Sequence, residues 1–333
     1  MKAIVQDRFG SPDVLRFTDV DPPEIGADDV LVRVHAAAIN PYDWHVLRGD
    51  PYVARLMGGV GLTRPKHRIA GADGAGRVER VGANVRDLRP GDEVLGWFDG
   101  SFAEFARAPA DRVVLKPESL SFEEAAAVPM AGETALRAIR DVGEVRPGHR
   151  VLVNGAAGGV GHLAVQIAVA LGAEVTGVCS TRNVELVRSL GADHVLDYTK
   201  EDFTKGAERY DLILDMVGNH GLLACRSALT PDGRYVMIGG PKGKWLAPMD
   251  TVLRALVLKP FVKQQMGFMM SSVKRDDLLT LRELMASGKL KPVIDRTYAL
   301  SDVPEAIRYL EEGRARGKVV ISLAAGATNT AAR

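Results

Sequence analysis

Residues 151–183 read VLVNGAAGGVGHLAVQIAVALGAEVTGVCSTRN, and the fold turns on them. Val151, Leu152 and Val153 form a short apolar run that ends at glycines, as a buried strand does before a turn. Residues 162–171 carry the apolar pattern of a buried helix, Gly172 supplies a stop, and residues 174–179 (EVTGVC) are a second β-rich run. The order strand, glycine turn, helix, strand is a βαβ unit. Within its turn Ala156, Gly158 and Gly161 hold three small-residue positions, with Gly159 and Val160 between the last two. The first permits a tight turn, the second lets backbone N–H groups approach a pyrophosphate, and the third lets helix and strand pack closely. The anion then lies on the helix N-terminus, where unpaired N–H groups and the helix dipole favour negative charge. Glycines also serve turns that bind nothing; here the flanking elements point to a nucleotide.

The end of the second strand bears on which nucleotide. A site for NADH places Asp or Glu there to accept from the ribose 2′-OH, but here Ser180, Thr181 and Arg182 follow Cys179. Hydroxyls and a guanidinium donate to a 2′-phosphate, so the expected cofactor is NADPH. The alternative for Arg182 is a solvated residue at a helix start.

The chain has 333 residues, enough for two domains with separate cores. Its 43 Lys and Arg balance 42 Asp and Glu, which leaves no electrostatic basis for binding nucleic acid or an anionic membrane. No stretch approaches a membrane span, and the opening MKAIVQDRFG has no apolar signal region. Cys179 and Cys225 argue against a disulfide framework and show no metal-ligand spacing, so a cytoplasmic location is expected.

Short strands at residues 30–36, 76–81 and 94–97, separated by Gly, Pro and Asp turns, give the first hundred residues a barrel-like character. A helical pattern follows from Ser121, a candidate N-cap with Glu124 completing a capping box. Strands at 210–216 and 235–238 extend the parallel sheet, a helix covers 276–287, and β character returns around a helix at 303–312 and a strand at 318–323.

Asn40-Pro41-Tyr42-Asp43, Gly71-Ala72-Asp73-Gly74-Ala75-Gly76 with Val81-Gly82, Pro90-Gly91-Asp92-Glu93-Val94 and the 156–161 turn together resemble the zinc-independent quinone oxidoreductase branch of the medium-chain dehydrogenase/reductase superfamily. The resemblance spans nearly the whole chain. It implies an α/β protein: a GroES-like β-barrel catalytic domain from residues 1–121 and 288–333, and a Rossmann doubly wound parallel sheet from residues 122–287. Zinc-dependent relatives hold a catalytic metal through Cys, a His-Glu pair and a later Cys or Asp. The matching positions here are Asn40, Ala72 with Asp73, and the region of Gly132-Glu133. A thiolate site for Zn²⁺ is missing, and no metal is expected.

Without a Lewis acid an alkoxide is hard to stabilise, whereas hydride addition to a quinone or an α,β-unsaturated carbonyl needs mainly donors for the resulting enolate. By resemblance, Asn40 and Asp43 lie beside the nicotinamide, Thr134 contacts its ring or amide, Tyr52 is a candidate proton donor, and Tyr198 packs near the 2′-phosphate. Tyr42 is a second candidate donor. Val217-Gly218 and Ile238-Gly239 follow strands at the carboxyl edge of the sheet, where ligands bind, and Lys318 reaches for the cofactor. From residue types alone, residues 40–43 read equally as an Asx-type turn, each Tyr as a packed surface aromatic, and Lys318 as solvated. The Leu-, Phe- and Met-rich stretch 245–272 reads as substrate lobe, dimer contact or core. The expected protein is a homodimeric NADPH-dependent reductase of quinones or related conjugated carbonyls. An enoyl-thioester or enone reductase and a non-catalytic NADPH-binding, redox-responsive protein are the alternatives.

Overall fold

The computed structural model describes residues 1–50, 52, 55, 61–239, 263–269, 274–323 and 330–331. Two compact units divide the chain, one of Met1–Ala131, Val273–Gly288 and Pro292–Arg333, the other of Gly132–Ser272 and Lys289–Lys291. Residues 122–131 and the helix of residues 275–286 thus group with the first unit, where the sequence division placed them in the second.

In the first unit β1 (Lys2–Val5) and β2 (Arg16–Asp19) form a hairpin-like pair. The long β3 (Asp29–Ile39) leads directly into α1 (Pro41–Arg48), followed by β4 (Asp73–Val81), β5 (Glu93–Trp97), β6 (Phe105–Pro109) and β7 (Val113–Leu115). The expected strands are present, each extended by one or more residues. The helical stretch from Ser121 is two helices, α2 (Phe122–Ala126) and α3 (Pro129–Arg137), because Pro129 can open a helix but not continue one. The Ser121–Glu124 capping box forms in both directions, at 3.1 and 2.9 Å.

The second unit contains β8 (Arg150–Asn154), α4 (Gly161–Ala170), β9 (Glu174–Cys179), α5 (Val184–Ser189), β10 (His194–Asp197), β11 (Tyr210–Asp215), α6 (Leu222–Ser227), β12 (Leu229–Met237) and β13 (Gln265–Phe268). All six strands are parallel, in the order β10-β9-β8-β11-β12-β13. Successive strands run outward in both directions from β8 and β11, so a topological switch point lies between those two. Val151, Leu152, Val153, Leu212, Ile213 and Leu214 are all 0 % exposed, as expected of central strands covered on both faces. Most of the stretch 245–272 lies outside the described residues; within it, Met266 packs against the core of this unit and Met269 is buried.

The chain then returns through α7 (Arg275–Ala286), β14 (Ile294–Ala299), α8 (Val303–Glu311), β15 (Lys318–Ser322) and β16 (Thr330–Ala331). These strands complete an eight-stranded sheet ordered β16-β14-β15-β3-β4-β5-β7, with β6 paired to β3. The antiparallel register of β15 on β3 sets Val319 opposite Ile39. That pairing brings Lys318 to the start of α1. Among the described residues no helix is long and apolar enough to cross a membrane.

Candidate cofactor site and buried polar cluster

The glycine turn follows β8. Gly155, not Ala156, makes the sharp bend: its φ is +89°, a conformation that favours glycine. The N–H groups of Gly155 and Ala156 both donate to the Val178 carbonyl, at 3.1 and 3.0 Å, which ties the turn to β9. Ala156 is fully buried and packs behind the turn, and the tight bend expected at it is made by Gly155. Gly158, Gly159 and Val160 are partly exposed at the start of α4. Gly161 seats that helix on the turn, since a Cβ there would lie 2.1 Å from the Gly155 carbonyl oxygen.

Asp215, at the end of β11, was missed in the sequence. Its fully buried carboxylate accepts from Asn154 Nδ2 (2.8 Å), the Val217 and Gly218 N–H groups (2.9 and 2.8 Å) and the Tyr235 hydroxyl (2.8 Å). These bonds join the ends of β8, β11 and β12 and fold the 217–218 loop over the carboxyl edge. The two loop N–H groups are thereby engaged, while the Val217 side chain is exposed. A Cβ on Gly155 would touch Val217 Cγ2 at 3.0 Å, so this loop borders the glycine turn. Ile238 N–H donates to the Asp215 carbonyl at 2.9 Å, and Gly239 lies so close to Met216 that a Cβ would sit 2.2 Å from its oxygen. Thr134 is buried in α3.

Beyond β9, Ser180 is partly exposed, and Thr181, Arg182 and Tyr198 are exposed. No acid ends β9, but Asp197 ends β10 directly beside Cys179. Its carboxylate accepts from the Thr181 hydroxyl (2.5 Å), the Thr199 hydroxyl (2.7 Å) and the Thr199 N–H (3.0 Å), and Lys200 Nζ is 3.5 Å away. The Thr181 bond, followed by those from Thr199, holds the Asp197 carboxyl at about 2, well below the usual carboxylate range. Thr181 therefore spends its proton inside the protein, whereas Ser180 Oγ accepts from Asn183 Nδ2 at 3.2 Å and keeps its own proton to donate.

In the first unit, residues 40–43 begin a helix. Asn40 is its N-cap, Pro41 occupies the first turn, and the Asp43 carboxylate accepts from the Asn40 N–H at 2.7 Å. The Asn40 carboxamide points the other way: Nδ2 donates to Asp73 Oδ2 at 2.9 Å and Oδ1 accepts from Lys318 Nζ at 2.5 Å. Lys318 Nζ is 3.6 Å from Asp73 Oδ2, and the Met130 N–H donates to Asp73 Oδ1 at 3.0 Å. Asn40, Asp43, Asp73 and Lys318 are 2, 5, 0 and 3 % exposed, so this is a sealed cluster. Lys318 belongs to it and is not solvated. Burial pushes Asp73 up and Lys318 down, and the attraction between the two opposes both shifts.

Tyr52 lies at the surface, 36 % exposed, with the Arg55 guanidinium 4.7 Å from its ring centre. Tyr42 is also exposed, tilted against Trp97, and its phenol is pushed up, first by burial and then by Asp43 and Asp99. Burial drives the Asp43 carboxyl up to about 7, with the Asp73 charge adding to the rise. Because that value exceeds the unfolded one near 3.9, the protein binds more protons folded than unfolded between them. The stability from protonated Asp43 is full below about pH 4 and is lost as pH rises toward 7, a change on the order of a few kcal/mol. Asp43→Asn is expected to flatten this dependence. Thermal melts at pH 5 and pH 8 check it, and a parent and variant with equal slopes would refute the assignment.

Residues 26–118 match the alcohol dehydrogenase GroES-like domain family and residues 190–321 the zinc-binding dehydrogenase family. The zebrafish (Danio rerio) mitochondrial NAD(P)H oxidoreductase RTN4IP1 is 34 % identical over 360 residues, covering 97 % of this chain and 91 % of its own. The chain belongs to the medium-chain dehydrogenase/reductase superfamily. The Arabidopsis thaliana chloroplastic NADPH-dependent alkenal/one oxidoreductase is 36 % identical over 342 residues, with 96 % and 79 % covered. The quinone oxidoreductase of Coxiella burnetii superposes with a TM-score of 0.84 at 32 % identity, over 97 % of this chain and 99 % of that one. The α/β reading, with a GroES-like part and a Rossmann part, stands, and the chain is an oxidoreductase of this superfamily.

Asn40 and Asp73 meet the Lys318 ammonium, and the thiolate expected at the first position is an amide. Among the described residues no three of His, Cys, Asp and Glu gather as metal ligands. The residues do not fit a catalytic zinc.

Proposed function

We propose that this protein catalyses metal-independent hydride transfer from NADPH to quinones or related conjugated carbonyls. The observation that carries the reading is the glycine turn at the switch point, open at residues 158–160 and backed by a preset 217–218 loop. Gly158, Gly159 and Val160 offer backbone to the pyrophosphate at the N-terminus of α4. Ser180 and Arg182, with Tyr198 beside them, receive the 2′-phosphate, and Lys200 adds charge nearby. Asp197 does not act as the acid of an NADH site, because its oxygens already take internal donors. Bound NADPH supplies the hydride; the protein orients it and excludes water, and the acceptor's carbonyl takes the charge. The relatives named for alkenals, enones and quinones support acceptors of this kind. The proposal includes a cytoplasmic homodimer, to be read by sedimentation and by fractionation of cells.

NADPH oxidation should be screened across quinones, enones, enoyl thioesters and aldehydes, with and without chelator. Turnover of quinones and enones that survives chelation is expected. Turnover with enoyl thioesters alone would replace the acceptor class, and none at all would favour a binding role. Arg182→Ala is expected to weaken NADPH roughly 10- to 100-fold and NADH little; equal losses in calorimetry would remove Arg182 from the phosphate site.

A further inference from the structure

Cys179 ends β9 without an acid, yet Asp197 stands directly beside it at the end of β10. An open carboxylate at this edge of a dinucleotide site accepts from the ribose 2′-OH, and its charge opposes a 2′-phosphate. The donors around Asp197 decide whether it is open. An ionised carboxylate has roughly four lone-pair positions. The Thr199 N–H and hydroxyl take Oδ1 at 3.0 and 2.7 Å, while Oδ2 accepts from the Thr181 hydroxyl at 2.5 Å and has Lys200 Nζ 3.5 Å away. The Lys200 side chain is 66 % exposed, so the short Thr181 bond is what closes Oδ2. The same bond joins two turns, one after β9 with Ser180 and Arg182, the other after β10 with Tyr198 and Lys200. Asn183 holds the first turn from its far end: its N–H donates to the Ser180 carbonyl at 2.8 Å and its Nδ2 to Ser180 Oγ at 3.2 Å.

From this geometry we infer that the Thr181 hydroxyl sets the cofactor preference of the protein by masking Asp197, so that the subsite takes a 2′-phosphate in place of a free ribose 2′-OH. Thr181 is a positioning residue, acting through the carboxylate and not on the phosphate itself. With its hydroxyl removed, Oδ2 keeps only the more distant ammonium. The freed oxygen then accepts from a ribose 2′-OH and repels a phosphate dianion. This mask matters only if the 2′-phosphate sits at Ser180 and Arg182, as the proposed function has it.

Calorimetric titration of the full chain with NADPH and with NADH, beside circular dichroism, tests the mask. Thr181→Ala is expected to weaken NADPH on the order of 10-fold and to leave NADH as tight as in the parent or tighter. Thr181→Ser restores the hydroxyl and should restore the parental ratio of the two affinities. Adding Asp197→Asn to Thr181→Ala removes the charge and should recover most of the lost NADPH affinity, although the turn stays unpinned. A turn that merely loosens would weaken both cofactors alike and gain nothing from the second substitution. The mask is overturned if Thr181→Ala leaves the ratio unchanged, if Thr181→Ser fails to restore it, or if the double variant binds NADPH no better than the single one. A parent without preference for NADPH overturns the cofactor reading and the mask together, whereas a preferring parent whose ratio Thr181→Ala does not move overturns the mask alone.

Discussion

Gly158→Val is expected to leave the fold standing and to weaken NADPH binding on the order of 100-fold or more. Gly158 is not among the residues with positive φ, so a side chain there meets no backbone penalty. A Cβ would lie 3.3 Å from the Gly155 carbonyl oxygen, a contact relieved by a shift of a few tenths of an ångström. Nothing else lies within 4 Å of that Cβ, and on the proposed placement of the cofactor the valine methyls enter the space where the pyrophosphate approaches the backbone. Each charge-assisted bond lost there is worth about 1.5–3 kcal/mol, and displacing the phosphates breaks more than one. Calorimetric titration with NADPH, beside circular dichroism, measures both halves of the claim. A natively folded variant that binds as tightly as the parent would falsify the placement of the nucleotide site.

Gly161→Ala, three residues on, is expected to do the opposite and damage the fold. Its Cβ would fall 2.1 Å from the Gly155 carbonyl oxygen, 2.9 Å from that carbonyl carbon and 3.0 Å from Ala156 Cα. All three atoms are backbone, so no side chain can swing aside. Either α4 slides off the turn or Gly155, held at φ +89°, must move with its bonds to β9. Overpacking typically costs about 1–3 kcal/mol, and a rigid backbone neighbour puts this case at or above the upper end. A fall in melting midpoint of roughly 5–10 °C follows for a unit of this size. A variant melting within a degree or two of the parent would show that the helix start is not seated on the turn.

The βαβ unit was legible because its information is local. Apolar runs, a glycine turn and a capped helix each span a few residues, and β8, α4 and β9 lie where periodicity put them. Even there the assignment slipped by one residue, since the small side chain of Ala156 looks like a turn former while φ is set at Gly155. Residues 40–43 illustrate a different loss. Asn-Pro followed by Tyr-Asp satisfies both a turn and a helix N-terminus, and only the following packing of Leu47 in the core decides for the helix. Partners across the sheet were out of reach altogether. Lys318 and Asn40 are 278 positions apart, and their meeting depends on the register of β15 on β3. Asp197 was visible as a residue but not as the neighbour of Cys179, because strand adjacency is a property of the sheet.

The four bonds on Asp215 have a thermodynamic consequence for ligand capture. A loop that becomes ordered only when a ligand arrives subtracts its lost conformational entropy from the affinity. Here the Val217 and Gly218 amides are tied down when the sheet forms. The ordering is thus charged to folding, and a nucleotide arriving at the carboxyl edge meets a wall already standing. Tyr235, two strands from the glycine turn and hydrogen-bonded to the same carboxylate, shares in that arrangement from inside the sheet. Evolution of affinity in this protein therefore has a lever inside the sheet, where changes read as stability but are felt as binding.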